Sequence, residues 1–148
     1  MRLSTRGEYG VRAMVALAAR YGAGPVSLAE IAAQEGISLS YLEQLVVPLR
    51  LAGLLESARG AAGGYRLSRD PAAITVGEVV RPLEEITLVE CLDSPDSATC
   101  CERRDTCTTR LVWERVRDSI AAALDSLTLA DLLSGNRGIG VQVSPLIS

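Results

Sequence analysis

The chain has 148 residues, which suits one compact domain with an extension better than two independent domains. Hydrophobic residues make up 48% of it, but there is no Phe and only one Trp, so the core must be built mostly of Leu, Val, Ile and Ala, a composition that favours helices. No apolar run reaches the roughly 18 residues that span a membrane, and Met1–Glu8 lead into a charged amphipathic pattern rather than a signal peptide. We therefore expect a cytoplasmic protein without membrane contact.

The net charge of −3 is unevenly distributed along the chain. Residues 1–70 carry eight Arg against six acidic residues, whereas residues 71–148 carry seven Arg against twelve acidic residues. The N-terminal half is therefore the half suited to a polyanionic partner. An enzyme is disfavoured because the chain has no His, no nucleotide-binding loop and no Ser or Cys beside a plausible base.

The first two predicted helices lie in the N-terminal 36 residues. The first covers residues 4–21, where apolar side chains recur at i, i+4 spacing at Tyr9, Ala13, Leu17 and Tyr21. The second begins at Ser27, which can cap it with Glu30 in the capping-box position, and ends near Gly36.

A third helix is predicted from Ser38 to about residue 53, with Pro48 expected to bend or fray its C-terminal part. Its apolar residues share one face, and the other faces carry Ser40, Tyr41, Glu43, Gln44 and Arg50. Two helices separated by a tight Gly-containing turn form a helix-turn-helix, in which the second helix reads DNA.

A β-hairpin wing is predicted next, with strands at residues 54–58 and 65–68 around the glycine-rich turn 60–64. Arg59 stands at the root of this wing, where it can enter a narrow minor groove of strong negative potential. Arg66 on the return strand is a further candidate phosphate contact.

The remaining chain predicts a helix capped by Thr75 and ending near Glu84, a loop over residues 85–106 and a long helix from Thr108. An apolar stripe at heptad-like spacing follows this helix, through Trp113, Val116, Ile120, Leu124 and Leu127. We expect the stripe to form a homodimer seam. The predicted fold is mostly α with a small β-hairpin: a winged helix-turn-helix at 1–84, a cysteine-containing sensor loop at 85–107, a dimerisation helix at 108–133 and a mobile tail at 134–148.

The start of the third helix is the candidate DNA reader. Ser38, Ser40 and Tyr41 can donate hydrogen bonds to phosphates or base edges, and the amide of Gln44 can pair with adenine. Each has a structural alternative, because Ser38 also suits an N-cap and Tyr41 can be half-buried against the first helix.

Four cysteines, Cys91, Cys100, Cys101 and Cys107, lie within seventeen residues. In a cytosolic chain such clustering indicates metal or redox chemistry rather than a disulfide framework. Thiolates complete the tetrahedral iron of an iron–sulfur cluster, zinc accepts the same ligands, and bare thiols can form a redox switch.

Three stretches, Met1–Gly10, Ile37–Leu45 and Arg59–Tyr65, carry a resemblance to a known family. The chain resembles, over nearly its full length, the bacterial winged-helix regulators that include the iron–sulfur cluster regulator IscR, the nitric-oxide sensor NsrR and the cysteine-metabolism repressor CymR, and it is most similar to the IscR-like members. The resemblance implies a homodimer on a roughly palindromic DNA operator, with the third helix in the major groove and the wing in the minor groove. It also implies that Glu43 acts in operator specificity.

The cysteines match the cluster-binding members of this family in part. Cys101 and Cys107 keep the family's five-residue gap, whereas the distance from Cys91 is longer by an insertion, so either Cys100 or Cys101 can be the middle ligand. IscR-like proteins have a His where Arg110 stands. The resemblance leaves two candidate fourth ligands, Glu8, at the place of an acidic ligand in NsrR-like proteins, and Cys100.

These observations together predict a DNA-binding transcription regulator that acts as a repressor. Its operator affinity is predicted to be set by an iron–sulfur cluster, and the two-iron two-sulfur type is favoured. Two alternatives remain open. One is a cluster-free regulator of the same fold that depends on zinc or on a thiol switch, and the other is a winged-helix module for protein–protein interaction.

Overall fold

A computed structural model describes residues 4–86, 92 and 106–135 of the chain. The described part is mostly helical and contains one antiparallel hairpin, as predicted. Its elements in chain order are α1 (Thr5–Ala18), α2 (Leu28–Glu35), α3 (Leu39–Leu51), β1 (Leu55–Ala58), β2 (Gly64–Leu67), α4 (Val76–Val80), α5 (Arg110–Asp125) and α6 (Leu129–Leu133).

Local signals set the turn between α2 and α3. The Ser27 hydroxyl accepts the backbone N–H of Glu30 (3.2 Å) at the start of α2, and Gly36 ends the helix in the left-handed region at φ +65°. The predicted capping box at Ser27 is not formed, because the Glu30 carboxylate instead pairs with Arg20 (2.7 Å). The third helix continues through Pro48 to Leu51, so Pro48 does not end it.

The wing is tied to the helical body by a third extended segment. In the hairpin, Leu55 pairs with Leu67 and Ser57 pairs with Tyr65. Tyr65 also exchanges two backbone hydrogen bonds with Val26 (2.8 and 2.9 Å) on its other side. A Cβ added at Gly64 would overlap the backbone carbonyl of Val26, so only glycine permits this close approach.

The C-terminal α6 belongs to the same hydrophobic core as the helix-turn-helix. Leu129 is fully buried among residues of α1 and the segment before α4. The backbone N–H of Val76 donates to Leu127 (2.8 Å), and that of Leu129 donates to Ile74 (3.0 Å). The structure therefore divides the predicted helix 108–133 into α5 and α6, with Leu127 in the connection between them.

An acidic residue joins the end of the wing to α4. The backbone N–H of Thr75 (2.9 Å) and the Arg69 guanidinium (2.5 Å) both donate to the Glu78 carboxylate, and Glu78 completes a capping box with Thr75. The hydrogen bond from Thr75, together with the charge of Arg69, lowers the pKa of Glu78 below its ordinary value.

Helix α5 contacts this body along one face only. Arg81 pairs with Asp125 at its C-terminal end (2.5 Å), and Ile120 and Leu124 line a groove of about 130 Å³ against Val80 of α4. No residue of α5 is buried. The predicted apolar stripe is thus divided, since its second half faces α4 while Trp113 and Val116 are exposed.

We predict that Leu129→Ala destabilises the fold by about 2–5 kcal/mol, because it opens a cavity in the shared core. The measurement is the free energy of unfolding in urea at a fixed protein concentration. Leu133→Ala is the matched control, since Leu133 lies on the same helix and is 41% exposed. Equal effects of the two substitutions would show that α6 does not stabilise the winged helix.

Candidate nucleic-acid interface

The orientation of α3 is set by the residues that it buries. Leu42, Leu45, Val46 and Leu49 are almost fully buried, which turns the opposite face of the helix to solvent. Ser40, Glu43, Gln44 and Val47 follow one another at helical spacing along that face, and all four are exposed. The structure thus presents three of the predicted reader residues, Ser40, Glu43 and Gln44, on one continuous surface.

The other two predicted reader residues of α3 have structural contacts. Ser38 is the N-cap, because its hydroxyl accepts the backbone N–H of Tyr41 (3.3 Å). The Tyr41 ring packs edge-on against Tyr9, with 5.9 Å between centroids, and its hydroxyl lies 3.3 Å from that of Thr5. Both residues therefore hold the start of α3 in place, and their contact with DNA stays a prediction.

Val47 was missed by the sequence analysis. It is half-exposed in the middle of the outward face, one turn after Glu43 and Gln44. Its signal was present in the sequence, because Val47 does not fit the apolar spacing that places its neighbour Val46 in the core. An apolar side chain at this place can contact the methyl group of thymine in the major groove.

The wing presents Arg59 to solvent. Arg59 directly follows β1 and is exposed, and the turn beyond it is closed by a hydrogen bond from the Gly63 N–H to Gly60 (2.9 Å). Arg66 pairs with Glu56 across the hairpin (3.1 Å), so the charge of this predicted phosphate contact is compensated within the wing. Arg59 has no ion pair among the described residues, so its positive charge is not compensated by a neighbouring carboxylate.

The candidate metal ligands are described only in part. Cys91, Cys100 and Cys101 lie outside the described residues, and within residues 4–86, 92 and 106–135 no group of three or more acidic, Cys or His side chains is placed to hold a metal ion. The Cys107 sulfur is half-buried shortly before α5, 3.1 Å from the Thr109 hydroxyl. Glu8 is exposed in the first turn of α1.

Arg110 occupies the place where a ligand was expected from the resemblance. Its guanidinium donates to Glu114 one turn further along α5 (2.8 Å), and a guanidinium has no free lone pair for a metal. Arg110 therefore cannot supply a metal ligand at this place. None of the described helices combines the length and the apolar character needed to cross a bilayer.

Comparison with known proteins places this architecture among transcription regulators. A model of the Rrf2 family, described as an iron-dependent transcriptional regulator, matches residues 3–135. The HTH-type transcriptional regulator CymR of Bacillus subtilis is 46% identical over 93% of this chain and 94% of its own length. A solved structure of that protein, described as the global cysteine regulator of B. subtilis, superposes with a TM-score of 0.72 at 42% identity and covers 91% of this chain and 98% of its own.

Two regulators named IscR are also similar to this chain. The HTH-type transcriptional regulator IscR of Escherichia coli is 40% identical over 95% of this chain and 85% of its own length. The structure of IscR from T. potens has a TM-score of 0.73 at 45% identity and covers 91% of this chain and 88% of its own. Regulation of transcription is a binding function, which agrees with the expectation that the chain is not an enzyme. The chain belongs to the Rrf2 family of winged-helix transcriptional regulators.

Proposed function

We propose that this chain represses transcription as a homodimer whose operator affinity is set by an iron–sulfur cluster on the thiolates of the segment before α5. Three observations support the parts of this proposal separately: the exposed polar face of α3 beside the wing, the uncovered apolar side of α5, and the grouping of four cysteines in seventeen residues. The first of these carries the proposal.

The exposed face of α3 matches the chemistry of the major groove. Ser40 and Gln44 offer hydrogen bonds to base edges, and the Gln44 amide can pair with adenine. The Glu43 carboxylate can accept a hydrogen bond from the cytosine amino group and repels base edges that present only acceptors. The wing follows α3 after three residues and carries Arg59 at the end of its first strand. Base reading by α3 and minor-groove binding by Arg59 then use two neighbouring surfaces of one rigid body.

A second copy of the chain is the partner that suits α5. Val112, Trp113 and Val116 expose 53%, 39% and 36% of their surface, although α5 is sixteen residues long and held by one face. Exposed apolar stripes of this length are usually covered by another helix. A twofold pairing of α5 helices would place two reading heads on one palindromic operator.

The donor set fits a cluster better than a purely structural role. The Cys107 sulfur is not part of the hydrophobic core, and three further thiols are available in the sixteen residues before it. We infer that Cys91, Cys101 and Cys107 are ligands, with Cys100 as the alternative middle ligand. Glu8 or Cys100 would complete the set. When bound, the cluster would supply a redox-sensitive and oxygen-sensitive group.

Ligation at this segment would reach the DNA-binding surface through α5. Cys107 lies three residues before α5, and the far end of α5 is fixed on α4 by the Arg81–Asp125 pair. Holding the first end of α5 would therefore set the angle between the two heads of a dimer. Loss of the ligated state would shift the population toward dimers that fit the operator less well.

The DNA for this test is a duplex from the region upstream of the chain's own gene. We expect Arg59→Gln to weaken the binding of this duplex by about 1–3 kcal/mol, the range for a good groove contact. Binding is measured by gel shift at two salt concentrations. Arg59→Lys, which keeps the charge but loses the planar fork, should fall between the wild type and Arg59→Gln. If the affinity of the wild type does not fall as the salt concentration rises, or if it does not bind the duplex, the protein–protein interaction module is favoured.

For the dimer, Val116→Glu should produce monomers in sedimentation velocity, because it places a charge in the proposed apolar seam. Ala122→Glu adds the same side chain on another exposed side of α5 and should leave the dimer intact. Circular dichroism checks that both variants remain helical. A dimeric Val116→Glu protein would place the interface elsewhere.

For the cofactor, anaerobically purified protein should show visible cluster absorbance together with iron and acid-labile sulfide. Cys107→Ala should lose all three signals, and Cys100→Ala compared with Cys101→Ala identifies the middle ligand. Zinc without sulfide would instead support the zinc-dependent alternative. Protein with neither metal nor sulfide, whose operator affinity changes reversibly with a disulfide, would support the thiol switch.

A further inference from the structure

The arginines of the DNA-binding head fall into two groups. Seven lie between residues 4 and 70, and four of them pair with a carboxylate: Arg12 with Glu35, Arg20 with Glu30, Arg66 with Glu56 and Arg69 with Glu78. The other three, Arg6, Arg50 and Arg59, have no ion pair to any residue in the described part of the chain, and all three are exposed. Arg59 is the proposed minor-groove contact of the wing, whereas Arg6 and Arg50 lie outside the wing.

Arg6 lies at the end of α1 that touches the start of α3. It follows Thr5, whose hydroxyl meets that of Tyr41 in the first turn of α3 (3.3 Å). Arg6 is itself exposed in this first turn of α1. Arg6 is therefore carried beside the N-terminal end of the reading helix.

Arg50 lies at the other end of the same helix. It follows Glu43 by seven residues and Val47 by three, the spacing that puts all three on the outward face of α3. The adjoining Leu49 is almost fully buried and fixes the rotation of this last turn. Arg6 and Arg50 thus flank the reading face at its two ends.

We propose that Arg6 and Arg50 bind backbone phosphates on either side of the major groove and so position α3 for base reading. This inference rests on the proposed DNA-binding function and adds to it two residues that hold the register of the complex. An unpaired guanidinium keeps its full charge for a phosphate and presents a planar fork that matches phosphate oxygens. Glu8 and Glu43 are also exposed on these two helices. Because their negative charges accompany the arginines, the surface would attract phosphates at Arg6 and at Arg50 rather than over a uniformly basic patch.

This arrangement explains how an acidic chain can bind a polyanion. Charges separated by more than about 8 Å are largely screened at physiological salt, so the net charge of −3 matters less than the uncompensated charges at the contact. Phosphate contacts position the protein without selecting a sequence. Their contribution should therefore be visible on any DNA duplex.

The test is the salt dependence of binding to a 30-base-pair duplex of arbitrary sequence, measured by fluorescence anisotropy with the full chain. Arg6→Gln and Arg50→Gln should each reduce the slope of log Kobs against log salt by about 0.9 per phosphate contact removed. Arg20→Gln is the matched control. Arg20 lies beyond the opposite end of α1, about 20 Å from Arg6 along the axis, and is held by Glu30.

The outcomes separate this inference from the proposed function. Unchanged slopes in both variants, with circular dichroism showing an intact fold, would overturn the assignment while wild-type binding upheld DNA binding itself. An equal loss in Arg20→Gln would reveal a general charge effect and would also overturn it. Wild-type protein that shows no salt-dependent binding to either the arbitrary or the upstream duplex would refute the proposed function and this inference together.

Discussion

The burial of one face of α3 against α1 is the constraint on which the rest of this structure depends. Leu42, Leu45 and Leu49 are each about 1% exposed, and Met14 of α1 is fully buried in the same core. Rotating α3 about its axis would expose these side chains at a cost of about 1.5–3 kcal/mol each. Since that cost fixes the rotation, the polar residues between them can face only outward, and the surface proposed to read DNA follows from packing.

The same core extends beyond the helix-turn-helix to the C-terminal end of the described chain. Leu129 returns from the far side of α5 into the space between α1 and the start of α4, and the backbone of Ile74 holds it there. A long helix whose far end is fixed on the DNA-binding body moves with that body. In the proposed dimer, this would make the position of one reading head relative to the other depend on how α5 begins, where Cys107 lies.

Charge in the DNA-binding head is organised by pairing rather than by excess. Arg20 pairs with Glu30 of α2 and Arg66 pairs with Glu56 of the neighbouring strand, whereas Arg6, Arg50 and Arg59 have no ion pair within the described residues. The Glu78 carboxylate is likewise used internally, to hold Arg69 and the start of α4. Total charge therefore says little about the binding surface, because compensated charges contribute little field a few ångströms away.

The sequence by itself determined the features that depend on neighbours along the chain. Ser27 and Gly36 bound α2, and glycines at the wing turn allow the hairpin, because caps and turns are decided within a few residues. Only the tertiary structure decided the partners that come from distant segments. It buried Leu129 in the shared core against the segment before α4, and it turned the second half of the α5 stripe toward α4, because both outcomes depend on packing between elements far apart in sequence.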